Sequence, residues 1–336
     1  MTGSEKPWVS FCMSTYKRPV FLKETLHSIL RQTFTDFEII VSDNDPERSA
    51  EAVVATVNDP RIHYFNNGDN LGMIASFNKS IERSNAERIV MITDDDPVYP
   101  DLLETFHRLH LQYPGYGMYL GGCDWFCTNP EVSHLYNLKV GTNSCLSNEH
   151  ELNYTRAYTS TEFLELFFTL SLFSHYLWST CMVSKDVLVK AGGVPDYGTP
   201  FLGDYAYLGI MSSYSGCVII NRALGCQTLH VQNFGRNQNE QIVIAANRFL
   251  PYVEEHMLKP AEWPVLKPQI LRFAGMWVVS HMSFLYKYAK SGSLRETEKE
   301  VFKIGYMKRY KIKYILKTRM PFIHNLIVKL KKKFKK

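Results

Sequence analysis

The first hundred residues repeat one pattern four times: a short apolar run, a polar turn, then apolar residues at helical spacing. "WVSFCM" from Trp8 leads through "STYKRP" to Leu22, Leu26, Ile29 and Leu30. "FEIIVS" from Phe37 ends at Asp43, and "PERSAEAVVATV" after it reads as helix. "RIHYF" from Arg61 ends in "NNGDN" before a helical stretch over residues 73–83, and "RIVMI" from Arg88 runs onto Asp94, Asp95 and Asp96. Four β-α units in succession restrict the chain to the α/β class, a mainly parallel sheet flanked by helices with ligands outside the carboxyl ends of the strands. Ser14, Tyr16, Asp43 and Asp95 are then expected to converge on one crevice.

Three adjacent carboxylates at the end of a buried strand are a physical anomaly. Like charges repel, and ionising a group beside a low-dielectric core is costly, so the cluster needs a compensating cation or an unusual set of donors. A solvated acidic turn capping the helix that starts in "PVYPDLLETF" is the bland alternative. A hard divalent ion, Mn²⁺ or Mg²⁺, is the functional one, because both prefer oxygen ligands and keep waters or phosphate oxygens in their shell.

A chain of 336 residues, 45% of them hydrophobic, can bury a large core. The start reads as strand-forming sequence rather than a secretory leader, which predicts a cytoplasmic protein. Seven scattered cysteines without paired spacing read as reduced, buried small hydrophobes. "FLELFFTLSLFSHYLW" from Phe163 is the most apolar window, but Glu165 and His175 interrupt it, so a buried core helix is expected in place of a membrane span. Charge is segregated. Residues 301–336 hold 11 Lys and 2 Arg with no acid, leaving 25 basic against 33 acidic residues on the first 300. That acidic remainder argues against a nucleic-acid partner.

The stretches "VSFCMSTYKRPVFLKETLHSILRQTFTDFEIIVSDND", "NLGMIASFNKSI" and "ITDDDPVYP" resemble the family 2 glycosyltransferases of GT-A fold over about residues 8–230, which transfer a sugar from a nucleotide diphosphate sugar. The resemblance implies a Rossmann-like nucleotide half over about 8–115 and an acceptor half over 116–240. A helical extension over 241–300 and a basic tail over 301–336 would follow. By the same resemblance Ser14, Tyr16 and Asp43 hold base and ribose, and Asn70 and Gly72 belong to the nucleotide side. Thr93 stands at the first position of the family's acidic motif, so Asp95 is the implied metal ligand, with Asp94 assigned to the nucleotide and Asp96 and His230 to the metal. "KAGGVPDYGTPFLGDYAYLGIMSSYSG" resembles the acceptor segment, which makes Asp204 the implied base. An N-cap for the helix "YAYLGIMSS" is the simpler account of Asp204, and the two roles are compatible.

Arg236 could meet a diphosphate, and Trp125 or Trp178 an acceptor sugar, although surface solvation and core packing are the commoner fates of such residues. In the tail, Phe302, Tyr306, Tyr310 and Tyr314 recur at i+4 between lysines and arginines, and Phe322, Leu326, Leu330 and Phe334 repeat the design. An apolar stripe beside a basic face predicts helices lying on an anionic membrane surface, at the inner face of the plasma membrane. The expected activity is metal-dependent, inverting transfer from a nucleotide diphosphate sugar, UDP-sugar favoured, to a hydroxyl of a glycan or lipid-linked acceptor in surface polysaccharide synthesis. A catalytically silent sugar-nucleotide-binding or membrane scaffold is the alternative, and a metal-dependent phosphohydrolase a weaker one.

Overall fold

The computed structural model describes residues 6–146, 150–172, 175–231, 233, 239–288 and 293–333. The chain divides into two compact units. One comprises Met1–Asp196, Asp204–His230 and His256–Pro260; the other comprises Tyr197–Gly203, Val231–Glu255 and Ala261–Lys336.

The first unit opens with the four units read from sequence: β1 (Val9–Thr15), α1 (Pro19–Leu30), β2 (Phe37–Asp43), α2 (Glu51–Val57), β3 (Ile62–Asn66), α3 (Met73–Arg83), β4 (Arg88–Thr93) and α4 (Leu102–Gln112). There follow β5 (Met118–Cys127), α5 (Pro130–Tyr136), β6 (Gly141–Asn143), β7 (Thr155–Tyr158), α6 (Ser160–Phe168), β8 (Cys181–Ser184), α7 (Lys185–Lys190), α8 (Gly203–Ser215) and β9 (Cys217–Leu229). The strands form one sheet in the order β3-β2-β1-β4-β8-β5-β9-β7, with β6 on β5. The strands β1, β2, β3, β4, β5 and β9 share one direction, because β8 is antiparallel to both β4 and β5 and β9 is parallel to β5. This is the expected mainly parallel α/β sheet. Every residue of β1 and β2 is buried, as a strand covered on both faces requires, whereas β3 at the edge alternates between half-buried and exposed. Leu22, Leu26 and Ile29 of α1 pack on Phe11, Ile39 and Val41 in the main core.

Two helical expectations shorten. In "PERSAEAVVATV" only Glu51–Val57 is helical, because Asp43 and Asp45 bind the backbone N–H groups of Ala50 and Glu47 and hold the preceding residues as a turn. Among the described residues of the apolar window from Phe163, the α-helix extends to Phe168, its start fixed by a Thr159–Glu162 capping box. Phe163, Leu164, Phe167 and Phe168 are buried there as expected of a core helix. None of the seven cysteines, all among the described residues, forms a disulfide, and six are buried. No helix among the described residues is long and apolar enough to cross a membrane.

The second unit is helical: α9 (Asn239–His256), α10 (Trp263–Tyr288), α11 (Ser293–Lys303), α12 (Lys311–Arg319) and α13 (Pro321–Lys333). Here the first apolar stripe departs from expectation. A 3₁₀ segment, Gly305–Tyr310, separates α11 from α12, and the stripe packs inward. Phe302, Tyr310 and Tyr314 keep only 9%, 8% and 1% of their surface, and the Tyr306 hydroxyl donates to the Ala246 carbonyl at 2.9 Å. Tyr310 fits only because residue 275 is Gly: a Cβ there would lie 2.4 Å from the Tyr310 ring. These aromatics are core, so they do not face a membrane. The second stripe does face outward, with Phe322, Leu326 and Leu330 exposed by 81%, 49% and 46%. Phe334 lies outside the described residues.

Candidate active site

Strand register brings the expected residues to one edge. Thr15 pairs with Asp43, Ser14 with Thr93, and Asp43 with Asn66, so the carboxyl ends of β1, β2, β3 and β4 are level. The acidic loop after β4 is clamped to β9: the Tyr99 N–H donates to the Leu224 carbonyl and the Cys226 N–H to the Pro97 carbonyl. His230, just beyond β9, therefore emerges beside the acids, its ring stacked on Phe21 of α1 at 4.4 Å.

All three aspartates are buried, and the fold meets their charge with specific donors. Asp94 accepts from the Thr15 hydroxyl at 2.7 Å, and its backbone carbonyl accepts from the Thr25 hydroxyl. Arg18, at the N-cap of α1, donates to Asp95 at 2.7 Å and to Asp94 at 3.3 Å. The His230 imidazole Nε2 lies 3.0 Å from the same Asp95 oxygen. Asp96 accepts from the Thr93 hydroxyl at 2.8 Å and the Thr228 backbone N–H at 2.9 Å.

The titration of the three differs accordingly. Burial, then the charge of Asp95, pushes Asp94 up to about 6. Burial, then Asp95, raises Asp96 well above the usual carboxylate range, and Asp204 adds to this. Burial also acts upward on Asp95, but the His230 hydrogen bond and the Arg18 charge outweigh it and hold Asp95 below that range. Asp95 is thus the member that keeps its charge to the lowest pH.

Asp204 is partly exposed and lies in the first turn of α8, which already starts at Gly203, so it sits inside the helix and not at the N-cap position expected from sequence. Desolvation raises it to about 6, opposed by the Trp178 backbone N–H 3.5 Å away. A partly accessible carboxylate beside the acid cluster can take a proton from a hydroxyl near neutral pH.

A divalent ion accepts oxygen and imidazole ligands and fills its shell from a bound diphosphate. Asp95 and His230 fit that demand as adjoining donors. Asp96, expected as a metal ligand, turns both oxygens onto Thr93 and Thr228 and supports the loop from behind. Among the described residues no three His, Cys, Asp or Glu side chains gather closely enough to hold an ion by themselves.

On the nucleotide side, Ser14 is buried at the end of β1 and Tyr16 is 43% exposed on the loop after it. Asp43 has no exposed surface; it accepts from the Asp45 N–H, the Ala50 N–H and the Tyr64 hydroxyl. Asn70 is exposed and accepts from the Gly72 N–H at 3.0 Å, while Gly72 takes φ +83°, which favours glycine, ahead of α3. Trp178 is core, against Phe77, and Trp125 lies beside His175. Arg236 falls outside the described residues. Arg18, Thr15 and Thr228 have no motif to mark them. Only the demand of the acids for a counter-charge points toward a residue such as Arg18, and 38 Lys and Arg residues could have answered it.

Acids gathered at the carboxyl edge of parallel strands, on a sheet completed by antiparallel β8, give the chain a GT-A-like α/β fold. Sequence comparison narrows this: the profile of Glycosyl transferase family 2 matches residues 10–182, just over half the chain, and the chain belongs to that family. It is 34% identical over 137 residues to the putative colanic acid biosynthesis glycosyl transferase WcaA of Escherichia coli, covering 40% of this chain and 48% of that protein. It is 31% identical over 120 residues to the GalNAc(5)-diNAcBac-PP-undecaprenol beta-1,3-glucosyltransferase of Campylobacter jejuni, covering 35% and 38%. These matches span less than half the length of either relative. Among solved structures, S. aureus TarS 1-349 in complex with UDP-GlcNAc superposes with a TM-score of 0.59 at 13% identity, over 96% of this chain and 92% of that one. The mannosyltransferase PcManGT of Pyrobaculum calidifontis, in complex with GDP-Man and Mn²⁺, does so with a TM-score of 0.52 at 13% identity, over 94% and 87%. At such identities the likeness concerns the fold.

Proposed function

We propose that this protein transfers a sugar from a nucleotide diphosphate sugar, UDP-sugar favoured, to a hydroxyl of a glycan or lipid-linked acceptor in surface polysaccharide synthesis, with inversion and with Mn²⁺ or Mg²⁺. The observation that carries the reading is the convergence of charged Asp95, His230, Arg18 and the raised acid Asp204 on one edge of the sheet. Asp204 takes the proton of the acceptor hydroxyl as that oxygen attacks the anomeric carbon opposite the leaving diphosphate. Asp95 and His230 face the diphosphate and would hold the divalent ion, which supplies positive charge where the leaving group gains negative charge.

Ser14, Tyr16, Asn70 and Gly72 serve the base and ribose, Asp43 by ordering the turn over residues 44–50, and Asp94 by fixing Thr15 and Arg18 at the diphosphate. Support comes from the relatives: their names include colanic acid biosynthesis and an undecaprenol-linked acceptor, and the structural neighbours hold UDP-GlcNAc or GDP-Man. The exposed apolar face of α13, on a segment rich in lysine, supports attachment to an anionic membrane surface, at the inner face of the plasma membrane.

The test is incubation of the full chain with labelled UDP-sugars and an undecaprenyl-linked acceptor, with Mn²⁺ or with EDTA. Expected is acceptor labelling with stoichiometric release of UDP, lost in EDTA. Binding without turnover would indicate a scaffold, and release of sugar phosphate a phosphohydrolase.

A further inference from the structure

The second unit holds a cleft of about 500 Å³ between α11 and α12. Arg295, Lys299, Lys303, Lys311 and Arg319 line it against one carboxylate, Glu298. Glu298 is already engaged, accepting from the Tyr314 hydroxyl at 2.6 Å and from Arg319 at 2.8 Å. Lys299 and Lys303 pair along α11 with exposed Glu296 and Glu300. For Arg295 and Lys311 no ion pair is found among the described residues. Like charges around one hollow repel, and an anion between them turns that repulsion into attraction.

The kind of anion follows from two neighbouring features. The cleft wall includes the buried rings of Phe302 and Tyr314, packed on each other, and the Tyr314 hydroxyl anchors Glu298, which in turn holds Arg319. Two residues beyond Arg319, α13 begins, and its Phe322, Ile323, Leu326 and Leu330 are all exposed along one face. A small soluble anion would account for the cations and leave that face unexplained. An anionic phospholipid accounts for both, since its phosphate and its acyl chains lie within one layer. We propose that the α11/α12 cleft seats the head-group phosphate of an anionic phospholipid, with the apolar face of α13 entering the acyl boundary. This rests on the membrane attachment proposed above and names the residues that read the lipid.

The test is sedimentation of the full chain with vesicles of phosphatidylcholine, with or without phosphatidylglycerol, at physiological salt. Arg295→Gln combined with Lys311→Gln should weaken binding to the anionic vesicles by more than the ~30-fold that any two cations contribute at such a surface, because these two also contact the seated phosphate. Neither residue has an ion pair among the described residues, so the melting temperature should hold. Lys308→Gln combined with Arg309→Gln removes equal charge outside the cleft and should cost no more than that general ~30-fold. Equal losses from the two pairs would overturn the cleft and leave attachment standing. If the intact chain sediments with neither vesicle, attachment fails and the cleft with it. Displacement from vesicles by millimolar inorganic phosphate, or preference for a duplex oligonucleotide, would also overturn the lipid assignment.

Discussion

Arg18→Met removes the cation that the aspartate cluster uses. Arg18 makes charge-assisted contacts of 2.7 Å to Asp95 and 3.3 Å to Asp94, and its side chain is 28% exposed. Removing one partner of a fully buried pair costs about 3–5 kcal/mol, and the exposure of Arg18 reduces that to about 2 kcal/mol. At pH 7.5 the variant should melt a few degrees below the parent protein. The sign of the pH dependence is a sharper check. Asp94 and Asp96 both have folded-state pKa values above the usual 3.8, so the folded protein binds protons that the unfolded chain has released. Stability from such groups falls as pH rises from about 4 through the folded pKa. Without Arg18, whose charge lowers Asp94 and Asp95, the pKa values of those two rise, so the deficit should widen toward pH 7.5 and narrow toward pH 5. Mn²⁺ with UDP should also narrow it by supplying the missing charge. Calorimetric melts of both proteins at the two pH values decide the matter. A deficit of equal size at both pH values would refute the idea that Arg18 stabilises by neutralising carboxylates.

Asp204→Asn should keep nucleotide affinity while kcat falls by about 10² or more, because the amide oxygen can still accept from the Trp178 N–H but cannot take a proton. In the parent protein kcat/KM should rise with pH and level off above about 6, the value to which burial raises Asp204, since a base works only when deprotonated. Asp95→Ala should abolish the Mn²⁺ dependence of nucleotide binding in titration calorimetry; unchanged dependence would assign the ion elsewhere. Ending the chain at Met320 removes exposed α13 and should reduce sedimentation with anionic vesicles while leaving nucleotide binding intact. Ending it at residue 300 should lower the melting temperature of the second unit, because Phe302, Tyr310 and Tyr314 are core.

The first four strands are where sequence and structure agree best, and the cause is local. A central parallel strand is buried on both faces, so it appears as an uninterrupted apolar run whatever its neighbours do. The run "FEIIVS" is such a case. The turn after it was harder to read, since residues 46–49 have helical propensity but Asp43 and Asp45 hold the backbone in a competing turn. Which strands pair is a non-local property. Nothing in "CMVS" says that β8 runs antiparallel between β4 and β5, yet that placement brings the end of β9, and with it His230, to the acids.

The same distinction explains what was visible of the site. Three carboxylates after a buried strand announce an electrostatic demand, and that demand can be read in one dimension because it concerns neighbours in the chain. The answer cannot: Arg18 is 76 residues from Asp94 and meets it only because α1 starts over the end of β4. Asp96 shows the converse, a carboxylate of the expected type in the expected place whose two oxygens are turned to Thr93 and Thr228 by the clamp on β9. For the tail, an i+4 aromatic stripe specifies an apolar face but not what covers it. Inside the second unit, Gly275 opens the space that Tyr310 occupies, and half-buried Glu298 offers Tyr314 an acceptor. The stripe on α13 has no such receptors among the described residues. Its apolar side chains stay in solvent, and it is there that an external surface has something to bind.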